Sequence, residues 1–187
     1  TGPVIQINGE TVKDSYNLTD DSNLVLSAID DTNVTFYRVL NETETVLDNL
    51  TINSDGTYVI KAVDEAGNTS TVTFTRDTVV PELKVNGDAV KDFYNLNDNK
   101  ENGNKLVLSA SEENVKYYEA DGTTEITNLT INTDGTYTII VEDAAGNRSN
   151  PVTFTRDTLA SNLKLNDSTE LKDYYNNKNA ENGVTVS

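Results

Sequence analysis

The side chains able to do chemistry in this 187-residue chain are carboxylates, amides, hydroxyls and tyrosines, because histidine, cysteine, methionine and tryptophan are all absent. Without histidine or cysteine, the nucleophile–base pairs of hydrolytic triads cannot be assembled. Paired carboxylates can run glycoside hydrolysis, yet the carboxylates here sit in turns that occur twice, and an active site is seldom duplicated in this way. No enzyme is expected. Oxygen-rich loops do suit a hard divalent cation, which takes about six to eight oxygen ligands. Asp64 and Asp143 open matching turns, Asp77 and Asp157 close matching apolar runs, and Asp30 and Asp31 lie in another loop. Asp64, Asp77, Asp143 and Asp157 are therefore the candidate ligands of a structural Ca²⁺. If their loops converge at one pole, an ion could bridge neighbouring domains. The same residue types are ordinary turn formers on a solvated acidic surface, and both readings stand. No contiguous calcium loop exists, since the stretch Asp98 to Gly103 puts Lys100 where an acidic ligand is needed.

Two further groups carry chemistry. Tyr37 and Tyr118 each follow an inward-facing neighbour, so strand alternation turns them outward, where they could stack on a sugar or anchor a protein partner. In the doublets Phe93-Tyr94 and Tyr174-Tyr175, one ring is expected in the core and the other at an edge. Lys13, Lys91 and Lys172 each precede an aspartate. An isopeptide crosslink would need a buried Asn or Asp opposite the lysine, which Val-Thr-Phe-Thr does not supply, so a solvated pair is expected.

These residues are positioned by a repeat. Val72-Thr-Phe-Thr-Arg-Asp-Thr78 recurs at Val152–Thr158, an offset of 152 − 72 = 80. Leu50–Tyr58 recurs at Leu129–Tyr137 with offset 79, and Leu24–Ala28 at Leu106–Ala110 with offset 82. The unequal offsets place insertions in the intervening loops. The openings Ile5–Gly9, Leu83–Gly87 and Leu163–Asp167 also correspond. The chain divides into repeat one (1–78), repeat two (79–158) and a partial third copy (159–187) that ends after its second strand. Leu163, Leu165, Val184 and Val186 of that copy have no complete core of their own, and the chain reads as part of a longer one.

Each repeat is β throughout. Runs such as Thr57–Val63 and Thr136–Val141 alternate apolar and polar residues, and Asn8-Gly9, Asp55-Gly56, Gly67-Asn68, Asp134-Gly135 and Gly146-Asn147 supply tight turns between them. About seven short strands in about 80 residues predict a two-sheet sandwich. The expected core of repeat one is Ile5, Ile7, Leu24, Leu26, Val34, Phe36, Leu50, Ile52, Tyr58, Ile60 and Phe74. That of repeat two is Leu83, Val85, Leu106, Leu108, Val115, Tyr117, Leu129, Ile131, Tyr137, Ile139 and Phe154. A disulfide-free core in so short a repeat is near the lower size limit, so neighbour contacts or ions would help.

The ordered block Asp55–Tyr58, Asp64–Asn68, Val72–Thr78 and Pro81, with its second copy at Asp134–Tyr137, Asp143–Asn147 and Thr153–Thr158, resembles the bacterial immunoglobulin-like repeats of large adhesins and biofilm-associated surface proteins. The resemblance covers nearly the whole chain. It implies an all-β array of tandem immunoglobulin-like β-sandwiches, with Tyr58 and Tyr137 as the tyrosine corners that open the sixth strand. The chain lacks the cysteine pair and core tryptophan of antibody-type domains, and Ser161 replaces the linker proline in the third copy. The implied role is a structural stalk or spacer that projects a terminal binding domain, extracellularly on the bacterial cell surface or wall. The implied partners are the other repeats of the chain. Alternatives are a module recognising a host glycan or protein, or a spacer within a secreted multimodular carbohydrate-active enzyme. A net charge of −17 argues against nucleic acid and anionic membrane as partners. No apolar run reaches the roughly 18 residues of a membrane span, so membrane insertion is not expected.

Overall fold

A computed structural model describes residues 1–20, 23–95, 97, 98, 103 and 105–159. The third copy from 160 onward, with its expected core and doublet Tyr174-Tyr175, lies outside the described residues. Repeat one contributes β1 (Val4–Ile7), β2 (Glu10–Thr11), β3 (Ser15–Tyr16), β4 (Leu24–Ile29), β5 (Val34–Leu40), β6 (Thr43–Val46), β7 (Thr51–Ile52), β8 (Gly56–Asp64) and β9 (Thr69–Arg76). Repeat two contributes β10 (Leu83–Val85), β11 (Asp88–Ala89), β12 (Phe93–Tyr94), β13 (Leu106–Ala110), β14 (Lys116–Glu119), β15 (Thr130–Ile131), β16 (Gly135–Glu142) and β17 (Val152–Arg156). No helix among the described residues is long and apolar enough to cross a membrane.

Each repeat is an immunoglobulin-like sandwich of two sheets. In repeat one the orders are β2-β1-β4-β7 and β3-β9-β8-β5-β6; in repeat two they are β11-β10-β13-β15 and β12-β17-β16-β14. The chain changes sheets early: β1 pairs antiparallel with β4, whereas β3 runs parallel to the last strand β9. Repeat two does the same with β10 against β13 and β12 along β17. The crossing begins at Asn8-Gly9 and Asn86-Gly87, where both residues of each pair have positive φ, the geometry of a type I′ hairpin.

Alternation decides the core. Along β4, Leu24 and Leu26 are buried while Val25 between them is exposed, and along β8 Tyr58, Ile60 and Ala62 all point inward. Phe74 sits between two tyrosines, edge-on to Tyr16 at 5.6 Å and stacked on Tyr58 at 5.5 Å. Phe154 repeats this arrangement with Tyr94 and Tyr137. Tyr58 donates its hydroxyl to the Ser54 carbonyl and Tyr137 to that of Thr133, which makes both of them tyrosine corners.

Five expected core residues, Val34, Leu50, Val115, Leu129 and Tyr137, are only partly buried and pack at the edge of the clusters. Tyr16 and Ala62 in repeat one, and Tyr94 and Val141 in repeat two, lie fully inside instead. Ala62 and Val141 follow from extending the alternation one step further. Tyr16 and Tyr94 belong to two-residue strands whose burial depends on the sheet change and not on local pattern. Phe93, the other member of its doublet, is 73% exposed.

Candidate metal centre at the junction between repeats

The turn that opens with Asp143 is built by its own side chain. Its carboxylate accepts hydrogen bonds from the backbone N–H of Ala145 and of Asn147, both at 2.8 Å, and from the Asn147 amide at 2.8 Å. Gly146, with φ of +90°, allows the chain to reverse there. Asp64 and Asn68 build the same turn in repeat one, and Asn68 holds the Asp64 carboxylate below its usual range.

The second turn differs because the end of repeat one lies against it. Asn147, 3% exposed, accepts the Leu18 N–H at 2.7 Å and donates to the Asp77 carbonyl at 2.8 Å. Asn17 donates to the Ala145 carbonyl at 3.2 Å. Glu82 and Ser111 exchange two hydrogen bonds, through the Ser111 backbone N–H and its hydroxyl, so the linker is tied to the loop after β13.

These contacts bring Asp77 from repeat one to Glu112 and Asp143 of repeat two. One carboxylate oxygen of each lies within 4.8 Å of the others. None of the ion pairs among the described residues involves the three. Glu112 Oε1 is enclosed and has no hydrogen-bond partner. Burial, and then the charges of Asp77 and Asp143, raise the Glu112 carboxyl above its ordinary value. Three carboxylates at this spacing repel one another when all are charged. Oxygen donors alone, with one of them lacking any partner, fit a hard cation such as Ca²⁺; backbone carbonyls and water would complete its shell.

The four aspartates proposed from sequence therefore separate. Asp77 and Asp143 meet. Asp64 occupies the matching turn of repeat one, outside the cluster, and Asp157 follows β17, where its carboxylate accepts the Leu159 N–H. Glu112 was missed. Its loop occupies the place of Asp30 and Asp31 in repeat one, so the repeat offset was the signal that could have found it.

The tyrosines selected as outward-facing are also placed. Tyr37 is half-buried on the outer face of β5. Tyr118 is 9% exposed because the Arg148 guanidinium lies over its ring, 4.7 Å from the centroid. Lys13 and Lys91 pair with Asp20 and Asp98 as exposed ion pairs.

No protein-family model matches the chain, and no curated protein matches it. Among solved structures, the C-terminal 282-residue fragment of intimin, in complex with the intimin-binding domain of the translocated intimin receptor, aligns at 14% identity and TM-score 0.43. That alignment covers 88% of this chain and 66% of the other. Extracellular domains 3–5 of Drosophila OTK align at 12% identity and TM-score 0.42, covering 83% of this chain and 62% of theirs. The fibronectin(III)-like modules of Clostridium thermocellum CbhA align at 14% identity and TM-score 0.30, covering 82% and 93%.

Proposed function

We propose that the chain is a run of structural spacer modules from a bacterial surface protein, with Ca²⁺ held at the junction of consecutive repeats. The observation that carries this reading is the meeting of Asp77 with Glu112 and Asp143 across the junction. An ion bound there would join the two repeats through side chains from both, and a stiffened junction is what a projecting stalk needs. The repeats carry no histidine or cysteine with which to assemble a nucleophilic site, and their matching carboxylates sit in duplicated turns, which supports a mechanical role. The acidic surface suits an extracellular location, where calcium is plentiful.

The test is a thermal melt of the full chain with excess Ca²⁺ and then with a chelator, at matched ionic strength. A ligand that binds only the folded state stabilises it by RT ln(1 + [L]/Kd). The expected result is a midpoint several degrees higher with Ca²⁺, abolished by Asp77→Ala. Superimposable melts of the unsubstituted chain would reduce the cluster to turn-forming carboxylates.

A second reading, that a repeat itself binds a ligand, is favoured by one feature outside the junction: a groove of about 550 Å³ in repeat two whose counterpart in repeat one is about 140 Å³.

A further inference from the structure

The groove lies beside the tyrosine corner. In repeat one, Arg38 pairs with Ile60 across the sheet, and its guanidinium lies 4.7 Å from the centroid of the Tyr58 ring. One face of Tyr58 is stacked on Phe74 and Arg38 covers the ring from elsewhere, so little of it is left to a ligand; Tyr58 is 5% exposed. The space remaining beside it, between Arg38, Leu47 and Asn53, is about 140 Å³.

Repeat two has the same strands with different occupants. Glu119 pairs with Ile139 as Arg38 does with Ile60, so a carboxylate stands where the guanidinium was. A carboxylate has no attraction for the negative face of a ring. The hairpin is also shorter. From Phe36 to Leu47, which share a hydrogen bond, the chain advances 47 − 36 = 11 positions; from Tyr117 to Ile126, which share the equivalent bond, it advances 126 − 117 = 9. Those two missing residues remove the outer strand β6, leaving a single bridge between Tyr118 and Glu125. The cavity beside Tyr137 consequently grows to about 550 Å³, and Tyr137 is only partly buried.

We infer that this groove of repeat two is a binding site for a neutral saccharide, with Tyr137 as its aromatic platform. This goes beyond the spacer reading and does not depend on the cation. The C–H face of a pyranose packs on an aromatic ring, while its hydroxyls need neutral donors and acceptors around the rim. Asn128, Asn132, Thr133 and Thr136 line the groove and supply them. Asn128 uses its carbonyl oxygen to accept the Thr130 N–H, so its amide NH₂ remains available. Glu119 can accept from sugar hydroxyls, and it repels anionic sugars. A volume of about 550 Å³ lies within the range of small-ligand sites and suits one or two sugar rings.

The experiment is an amide NMR titration of the ¹⁵N-labelled full chain with lactose, cellobiose, maltose and N,N′-diacetylchitobiose, using 3′-sialyllactose as the anionic control. At least one neutral probe is expected to shift resonances of Asn128, Asn132 and Thr136 with millimolar affinity, leaving those around Tyr58 unmoved. Sialyllactose is expected to bind more weakly than lactose. Glu119→Arg, which recreates the cap of repeat one, is expected to weaken binding about tenfold or more, a change of about 1.4 kcal/mol. Should that variant fail to fold, Asn132→Ala on the exposed rim is expected to weaken binding several-fold. Shifts in the groove from none of the four neutral probes, or unchanged binding in a folded Glu119→Arg chain, would overturn the assignment.

Discussion

Asn147 shows how much one side chain decides here. It closes the turn begun by Asp143, accepts the Leu18 N–H and donates to the Asp77 carbonyl, so the turn of repeat two and the junction share a residue. Asn68 closes the same turn in repeat one through Asp64 alone. Removing a buried hydrogen-bonding partner costs about 1–3 kcal/mol. Asn147→Ala should therefore lower the urea midpoint of repeat two and also loosen the junction, whereas Asn68→Ala should affect repeat one only. Equal effects of the two would show that the contacts to Leu18 and Asp77 contribute nothing. A second test at this scale concerns Asp121, whose carboxylate accepts from the Thr124 hydroxyl and from the backbone N–H groups of Thr124 and Thr123. These bonds favour the charged form and lower its pKa from 3.8 to about 2. Because the folded value lies below the unfolded one, the stabilisation is complete above the unfolded value and fades as pH falls through about 2. Asp121→Ala should destabilise the chain at neutral pH and make progressively less difference as pH falls across that window. Carboxyl ¹³C shifts of Asp121 would follow the titration directly.

At the scale of the strands, the aromatic trio in each core links three neighbouring strands of one sheet, β3-β9-β8 in repeat one and β12-β17-β16 in repeat two. Phe74 is 1% exposed between Tyr16 and Tyr58, which reach it from the parallel strand β3 and from β8. Phe74→Ala should cost about 3–5 kcal/mol by chemical denaturation, with Phe154→Ala similar in repeat two. Tyr58→Phe keeps the ring and loses the hydroxyl's bonds to the Ser54 carbonyl and the Ser54 hydroxyl, so about 1–2 kcal/mol is expected. A cost as large as that of Phe74→Ala would mean that the corner hydroxyl organises the whole turn. The half-buried ion pairs Arg76–Asp55 and Arg156–Asp134, each supported by a threonine hydroxyl, explain why Asp-Gly-Thr-Tyr and Arg-Asp-Thr recur together although about 20 residues apart.

At the scale of the whole chain, the junction decides whether two sandwiches behave as one body. If an ion is held by Asp77, Glu112 and Asp143, chelation should broaden the distribution of distances between spin labels placed on the two repeats. Asp77→Ala should give the broad distribution in either condition. A distribution unaffected by chelation would mean that the direct hydrogen bonds of Asn17 and Asn147 hold the junction by themselves.

Alternation, turn chemistry and the repeat offset made the fold legible from the chain alone, because strand periodicity and positive-φ turns are local properties of a few adjacent residues. They also marked Asp77 and Asp143 as candidate ligands. What only the tertiary structure decided were relations between segments far apart in sequence. Tyr16 and Tyr94 are core residues because the chain changes sheets before them. Asp64 and Asp143 occupy identical turns, yet only the second meets the end of the other repeat. Glu112 joins that meeting because the linker is tied to its loop through Glu82 and Ser111. Tyr58 and Tyr137 sit in near-identical sequence, and the residue across the sheet, Arg38 or Glu119, together with the length of its hairpin determines how far the ring is covered. No local pattern encodes a cross-strand neighbour, because that neighbour is set by register and docking, which the packed chain alone defines.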